Sequence, residues 1–274
     1  LVRSMLDGDL ISEPQNERIQ LVINNRPSVT EILMTRSRIS QKIRLGSHVM
    51  DVSGINRERK ANELVIYTPR FGKTTLTSAE GIELVIVKGN IHLVNIGTGN
   101  SVIPAGGYVI SASGTVSDTI APIAKKEDEV TLIHDWELPS AFLKDRANLD
   151  VVTGVPQLIR DSKIDITWEQ ERSSRSFVET RHPRTAVAKL KSGKFLMLTA
   201  DGRSETSAGL DLNDLAAYLL ELGAVEAMNL DGGGSTTMYL NGKVVNQPSD
   251  AAGERKVSDV LVVTPRVKNL RRSR

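Results

Sequence analysis

Asp211-Leu212-Asn213-Asp214-Leu215-Ala216-Ala217-Tyr218-Leu219-Leu220-Glu221-Leu222-Gly223-Ala224-Val225-Glu226-Ala227-Met228-Asn229-Leu230-Asp231 is the stretch that sets the fold class. Leu212, Leu215, Ala216, Leu219 and Leu220 recur at helical spacing and make one apolar face over residues 211–222. Asp211 stands where an N-cap carboxylate belongs, and Asp214, three residues on, echoes a capping box. Gly223 supplies the stop. Ala227 to Leu230 then reads as a short buried strand that delivers the chain to Asp231. This is one helix followed by one strand, not a member of an alternating series. The expected class is therefore α+β: a single domain with a mixed β-sheet core and few helices.

Working outward, the chain is rich in strand patterns. Thr185 to Leu190 and Lys194 to Ala200 read as a hairpin around Lys191-Ser192-Gly193. Thr236 to Leu240 and Lys243 to Asn246 read as another around Asn241-Gly242, a type I′ signal. Val257 to Thr264 is expected to be a last strand. Further upstream, Glu63 to Thr68, Ile82 to Val87, Ile91 to Val94 and Tyr108 to Ser111 are strand candidates, with Lys88-Gly89-Asn90 joining the middle two. Short strand-like pieces such as Ile19 to Ile23 lie in the mixed first fifty residues. Residues 121–150 read as surface cover and residues 160–180 as a long polar loop. Residues 1–50 are taken as the N-terminal, incomplete part of the domain, 51–265 as its main body, and 266–274 as a basic tail or linker.

Composition bounds the function. Of 274 residues, 39% are hydrophobic but only 4% aromatic, so the core must rest on Val, Ile and Leu. Lys and Arg number 35 against 33 Asp and Glu, a net charge of +2, which is too balanced to indicate nucleic-acid binding. The chain lacks cysteine, which excludes a disulfide scaffold, a cysteine nucleophile and a cysteine zinc site. No run of 18 apolar residues is present to span a membrane. The chain starts at Leu1, without an apolar leader, and reads as a fragment with any targeting segment upstream.

Four polar clusters end or interrupt the apolar strands of the last third. They are Arg181-His182-Pro183-Arg184-Thr185, Asp201-Gly202-Arg203, Asn229 to Thr237, and Asn246-Gln247-Pro248-Ser249-Asp250 with Glu254-Arg255. Within the third, Gly232, Gly233 and Gly234 remove the side chains from a sharp turn, so that a ligand oxygen can reach backbone N–H groups. Arginines supply bidentate donors for an oxyanion, and Asp201, Asp231 and Asp250 supply carboxylates for acid, base or nucleophile roles. Each cluster also has an ordinary reading. Asp201-Gly202 and Asp231-Gly232 make turns, the arginines make surface ion pairs, and Asn246 and Asp250 cap turns. The glycine turn lacks the lysine of a P-loop, Ser235 is not in a nucleophile elbow, and the histidines show no zinc-ligand spacing.

The ordered series is more specific than its parts. Arg-His-Pro-Arg-Thr-Ala from Arg181, Asp-Gly-Arg from Asp201, Asn-Leu-Asp-Gly-Gly-Gly-Ser-Thr-Thr from Asn229 and Asn-x-Pro-Ser-Asp from Asn246 resemble the phosphodiester glycosidase family. The likeness is dense over 180–264. It is looser over 54–120, where Gly54-Ile55-Asn56-Arg57-x-Arg59, Tyr67-Thr68-Pro69-x-Phe71-Gly72 and Gly81-x-Glu83 carry it. Two departures stand out. The family's upstream Asn-Gly-x-Phe-like block falls before Leu1, and its Gly-Gly-x-Pro segment reads here Thr153-Gly154-Val155-Pro156.

The resemblance implies hydrolysis of a sugar 1-phosphodiester, of the α-GlcNAc-1-phosphate type, at the glycosidic carbon. It implies Asp231 as the reacting carboxylate, with Asp201 as second choice. Arg184 and the turn from Gly232 to Ser235 would hold the phosphate, and Asn229 would orient the sugar. Arg181, His182, Thr185, Arg203, Thr236, Asn246, Ser249, Asp250 and Arg255 complete the expected binding set. No cofactor is expected, and the metal requirement is left open. The expected partner is a phosphorylated glycan or sugar phosphodiester, not nucleic acid, and the setting is the cell envelope or exterior. Two rival readings remain: a non-catalytic module binding phosphorylated glycans, and a metal-dependent phosphodiesterase using Asp201, Asp231 and Asp250.

Overall fold

The structure, a computed structural model, describes residues 2–13, 15 and 17–265. The basic tail expected at 266–274 lies outside the described residues. The sheet that carries the polar clusters has five strands in the order Lys163–Ile164, Gln157–Arg160, Ala224–Asn229, Arg184–Leu190, Phe195–Ala200, with each neighbouring pair antiparallel. Alternation along these strands sorts their side chains into two layers. Ala186, Ala188, Ala227, Leu196 and Leu198 face the Leu212–Glu221 helix. Val187, Met228, Phe195 and Met197 face the other way, onto Ile19, Leu21 and Met34 of a second sheet. Small residues on the first face let the helix approach, and the larger ones on the second fill the space between sheets.

The helix forms as its spacing predicts. Asp211 Oδ1 accepts from the N–H groups of Asn213 and Asp214, both at 2.9 Å, and Gly223 closes the end at φ +86°. Leu212, Leu215, Ala216 and Leu219 are completely buried. Burial of each leucine contributes on the order of 2 kcal/mol. Asp214 does not complete a capping box; its carboxylate takes Arg181 Nη1 instead, at 2.6 Å.

The second sheet runs Asp9–Leu10, Val2–Leu6, Leu149–Thr153, Gln20–Asn25, Thr30–Thr35. A third, Val130–Trp136, Ile39–Leu45, His48–Asp51, packs its Ile43, Leu45 and Val130 against a fourth. That one runs Asn90–Ile96, Ile82–Val87, Gly107–Ala112, Leu64–Tyr67, Gly54–Ile55, and its last pair is parallel, which makes the architecture mixed. The α+β class with few helices is thus observed: three short helices, Gly114–Ile120, Ser140–Leu143 and Arg175–Glu179, accompany the long one among the described residues. The motif blocks near Asn56 and Arg59 serve this part of the fold. Arg57 is bonded to Glu63 and Glu13, and Arg59 Nη1 donates to Ser111 Oγ at 2.7 Å. Glu83 is buried, and hydrogen bonds from Ser101, Thr77 and Ser111 outweigh its desolvation, holding its carboxyl below the ordinary range.

Three expectations are corrected. Residues 121–150 include the Val130–Trp136 strand and the start of Leu149–Thr153, a strand at the middle of its sheet. Mixed charge around them masked both strands. Residues 160–180 hold a short strand, a helix and a fully buried Glu171, which accepts from the N–H groups of Ile19 and Gln157. Val257 to Thr264 forms no strand. Leu261 packs against the sheet, whereas Val257, Val260, Val262 and Val263 are 47%, 61%, 69% and 78% exposed. Strand propensity describes a half-buried surface, and of the apolar residues of this segment only Leu261 has one.

Candidate active site

Register brings the clusters together. Arg184 opens its strand opposite Ala200, the last residue of the neighbouring strand, and Ala186 lies opposite Asn229, the last residue on the other side. The chain therefore leaves for Asp201, and for Leu230 and Asp231, at the same end of the sheet where it arrives from Arg181. Leu230 N–H still donates to the Thr185 carbonyl at 2.8 Å, which fixes the height at which Asp231 emerges. Gly232 and Gly233 then fold back on Pro183, whose carbonyl accepts from Gly233 N–H at 2.8 Å. A Cβ on Gly232 would meet that oxygen at 2.7 Å, and Gly233 has φ +59°, so both positions require glycine.

Asp231 is exposed and hydrogen-bonded only to its own turn, accepting from Gly232 N–H at 3.0 Å. Among the described residues it has no ion-pair partner within 4.0 Å. Its carboxylate is free for chemistry. Asp201 is more committed. Its Oδ1 accepts from Asn246 Nδ2 at 3.1 Å and from Gln247 N–H at 2.9 Å. Asn246 also donates to the Thr236 carbonyl at 3.0 Å and accepts from Met238 N–H at 2.6 Å, so it ties three segments together. Thr185 and Thr236 join through their hydroxyls at 3.3 Å.

The arginines divide. Arg184 is 1% exposed, and donates from Nε to the Leu210 carbonyl (2.9 Å) and from Nη2 to those of Phe177 (2.9 Å) and Thr180 (2.7 Å). Its guanidinium also lies over the Phe177 ring at 5.0 Å. Burial pulls it down to about 10, still protonated at neutral pH. It holds loops together and does not face the open site, contrary to its expected phosphate role. Arg181 is likewise engaged, with the Gly209 carbonyl and Asp214. Arg203 is exposed, lies against Gly233, and donates to His182 Nδ1 at 3.3 Å. Burial, then Arg203 and Arg184, hold His182 below its ordinary value, so it is neutral at neutral pH. Arg255 grips Asp250 in a fork, Nε to Oδ2 at 2.7 Å and Nη2 to Oδ1 at 2.9 Å, and this bond holds the Asp250 carboxyl below its usual range.

The glycine turn is less open than the sequence implied. The N–H groups of Gly232, Gly233, Ser235 and Thr236 donate to Asp231, Pro183, Gly232 and Gly233, leaving that of Gly234. Asn229 is 1% exposed; its Nδ2 donates to the carbonyls of Val155 (2.7 Å) and Leu230 (2.8 Å), while its Oδ1 is buried without a partner among the described residues. Through these bonds it braces the turn. Ser249 Oγ is similarly buried and unpartnered, and Ser235 is half-buried on the turn. Asp201, Asp231 and Asp250 do not gather into a metal-binding group among the described residues. Val155 and Pro183 stand in segments the sequence singled out, but the use of their carbonyls to anchor the corner was not foreseen, because backbone acceptors leave no residue-type signal. Two surface concavities lie elsewhere, one of about 430 Å³ beside Arg44, His48 and Glu129, and one of about 120 Å³ beside Gln157 and Glu226. Neither contains a strand-end residue of the candidate site, so size does not identify the chemistry here.

Comparison with known proteins adds a family context. The model of the phosphodiester glycosidase family matches residues 80–264. The N-acetylglucosamine-1-phosphodiester alpha-N-acetylglucosaminidase of Bos taurus is 34% identical over 151 residues, 47% of this chain and 28% of that one. Its Mus musculus counterpart is 33% identical over 179 residues, 57% of this chain and 33% of that one. The matches thus span about a third or less of those relatives. Among solved structures, a hypothetical protein from Synechocystis superposes with a TM-score of 0.73 at 23% identity, covering 91% of this chain and 46% of that one. A presumed exported protein from Burkholderia pseudomallei K96243 gives 0.76 at 22%, covering 92% and 59%. These two likenesses concern the fold alone.

Proposed function

This chain belongs to the phosphodiester glycosidase family, and from that premise we propose that it hydrolyses a sugar 1-phosphodiester at the glycosidic carbon. The observation that carries the reading is Asp231, an unpaired carboxylate at the lip of a glycine turn, in the same corner as Arg203 and Arg255. The bond that breaks joins the anomeric carbon to the phosphate oxygen, which leaves with the electron pair. A phosphate ester is a good leaving group, so cationic donors can replace a proton donor. Arg203 and Arg255 are the exposed donors that lie against the glycine turn, and they take the role that Arg184 is too buried to fill. Asp231 either attacks the anomeric carbon or removes the proton from the attacking water, whose oxygen ends on the sugar. Asp201, through Asn246, holds the loop that brings Arg255 over the turn. N-acetylglucosamine is the proposed sugar, from the named activity of the relatives, and the proposed setting is outside the cytoplasm.

The test is turnover of an α-GlcNAc-1-phosphodiester by this chain and by Asp231→Asn. The variant is expected to keep its fold and lose about 100-fold or more of kcat/KM, the scale of a lost acid–base group. Undiminished turnover in a folded Asp231→Asn protein would remove Asp231 from the mechanism.

A further inference from the structure

The segment after the second hairpin returns to the glycine turn and covers it. A Cβ built on Gly234 would lie 2.1 Å from Asp250 Oδ1 and 2.3 Å from Arg255 Nη2, so the ion pair rests directly on the bare backbone of that residue. Gly234 is also the residue whose N–H is not used within the turn. On the adjacent residue, Arg203 Nη1 and Nη2 lie 3.2 Å and 3.3 Å from where a Gly233 Cβ would be. Among the described residues Arg203 has no carboxylate within salt-bridge distance, and its charge is felt at Asp250. An internal monoanion thus sits against the bare Cα of Gly234, paired with Arg255 and within the field of Arg203. The loop is closed on itself by the Gly253 N–H, which donates to the Asp250 carbonyl at 2.9 Å, and it continues into the exposed segment after Val257. It is anchored upstream by Asn246 and Gln247 on Asp201, and the Asp250–Arg255 side-chain pair meets the turn here.

We propose that Asp250 is a built-in competitor for the anionic group of the ligand: the bound phosphodiester displaces its carboxylate from Gly234 and takes over Arg255, with Arg203 on the other side. The exchange keeps one negative charge facing Arg255, since a phosphodiester and a carboxylate each carry one, while the Asp250 carboxylate moves into solvent. A neutral glycoside offers nothing to exchange, so the same contact selects for anionic ligands. This inference rests on the proposed site, but not on the hydrolytic step.

The experiment measures binding of dimethyl phosphate, a monoanionic diester without a sugar, by the amide shifts of Gly234 and its neighbours in the whole chain. Asp250→Asn is expected to bind about three- to fivefold tighter than wild type, the scale of an exposed ion pair. Asp250→Ser, which keeps a turn-forming side chain, is expected to do the same, and Arg255→Gln to bind more weakly. Glu254→Gln removes the same charge from the same loop without touching the turn, and it is expected to leave affinity unchanged. Unaltered or weaker binding in both Asp250 variants would overturn the proposal, as would equal tightening in Glu254→Gln, which would reduce the effect to bulk charge. Tightening without turnover of a sugar phosphodiester leaves the competitor standing and removes the hydrolytic reading. Turnover without tightening does the reverse.

Discussion

Arg184 donates three hydrogen bonds to backbone carbonyls from a position 1% exposed, and its removal takes that donor from the Phe177 and Thr180 carbonyls, while Leu210 keeps the His182 N–H. We expect Arg184→Met to lower the unfolding free energy by about 3 kcal/mol. The folded fraction should keep its kcat/KM, as urea unfolding and active-site-normalised kinetics would show. Arg203→Gln should behave in the opposite way. Arg203 is exposed, and among the described residues its side chain bonds only His182, so stability should stay within about 0.5 kcal/mol while kcat/KM falls by roughly tenfold or more, the scale of a lost charged hydrogen bond. In the sequence these arginines are equivalent, each beside a strand end in a polar cluster. Their difference lies in the Phe177, Thr180 and Leu210 carbonyls, which converge on Arg184 only after the chain has folded.

The Leu212–Glu221 helix presses its leucines on the alanine face of the site sheet, and that packing sets the height of Asn229 and Asp231. Leu219→Ala should cost about 2–5 kcal/mol, and Asp211→Ala about 1 kcal/mol through the lost cap, both read by chemical denaturation. This unit, the Lys191-Ser192-Gly193 hairpin and the Asn241-Gly242 hairpin were legible because each is specified locally, by period and turn chemistry. The convergence of Asp201, Asp231 and Arg203 was legible as a consequence: antiparallel neighbours place alternate strand ends at one edge. The strand at Val130–Trp136 was not legible, since its middle is half-buried and it is defined by its partner Ile39–Leu45. Val257 to Thr264 erred the other way, with strand residues whose side chains are mostly exposed. The internal use of the turn's N–H groups was equally hidden, because Pro183 enters through its carbonyl.

At the scale of the molecule, His134 couples stability to pH. Burial, then the charge of Arg146, hold it down to about 4 from an ordinary 6.5, so the folded state refuses a proton that the unfolded state accepts. Stability should be fully present above pH 6.5 and fall as pH drops from about 6.5 towards 4, and His134→Gln should flatten that part of the curve in urea titrations. Below it, Glu63 and Glu83, both held under their ordinary values, continue the loss in the same direction. The remaining claim at this scale is the bond the assembled site breaks. Turnover of an α-GlcNAc-1-phosphodiester in ¹⁸O-water reads it directly. The account predicts that the heavy oxygen appears on the anomeric carbon of the released sugar, with none in the phosphomonoester. Heavy oxygen in the phosphate would mean attack at phosphorus and would contradict it.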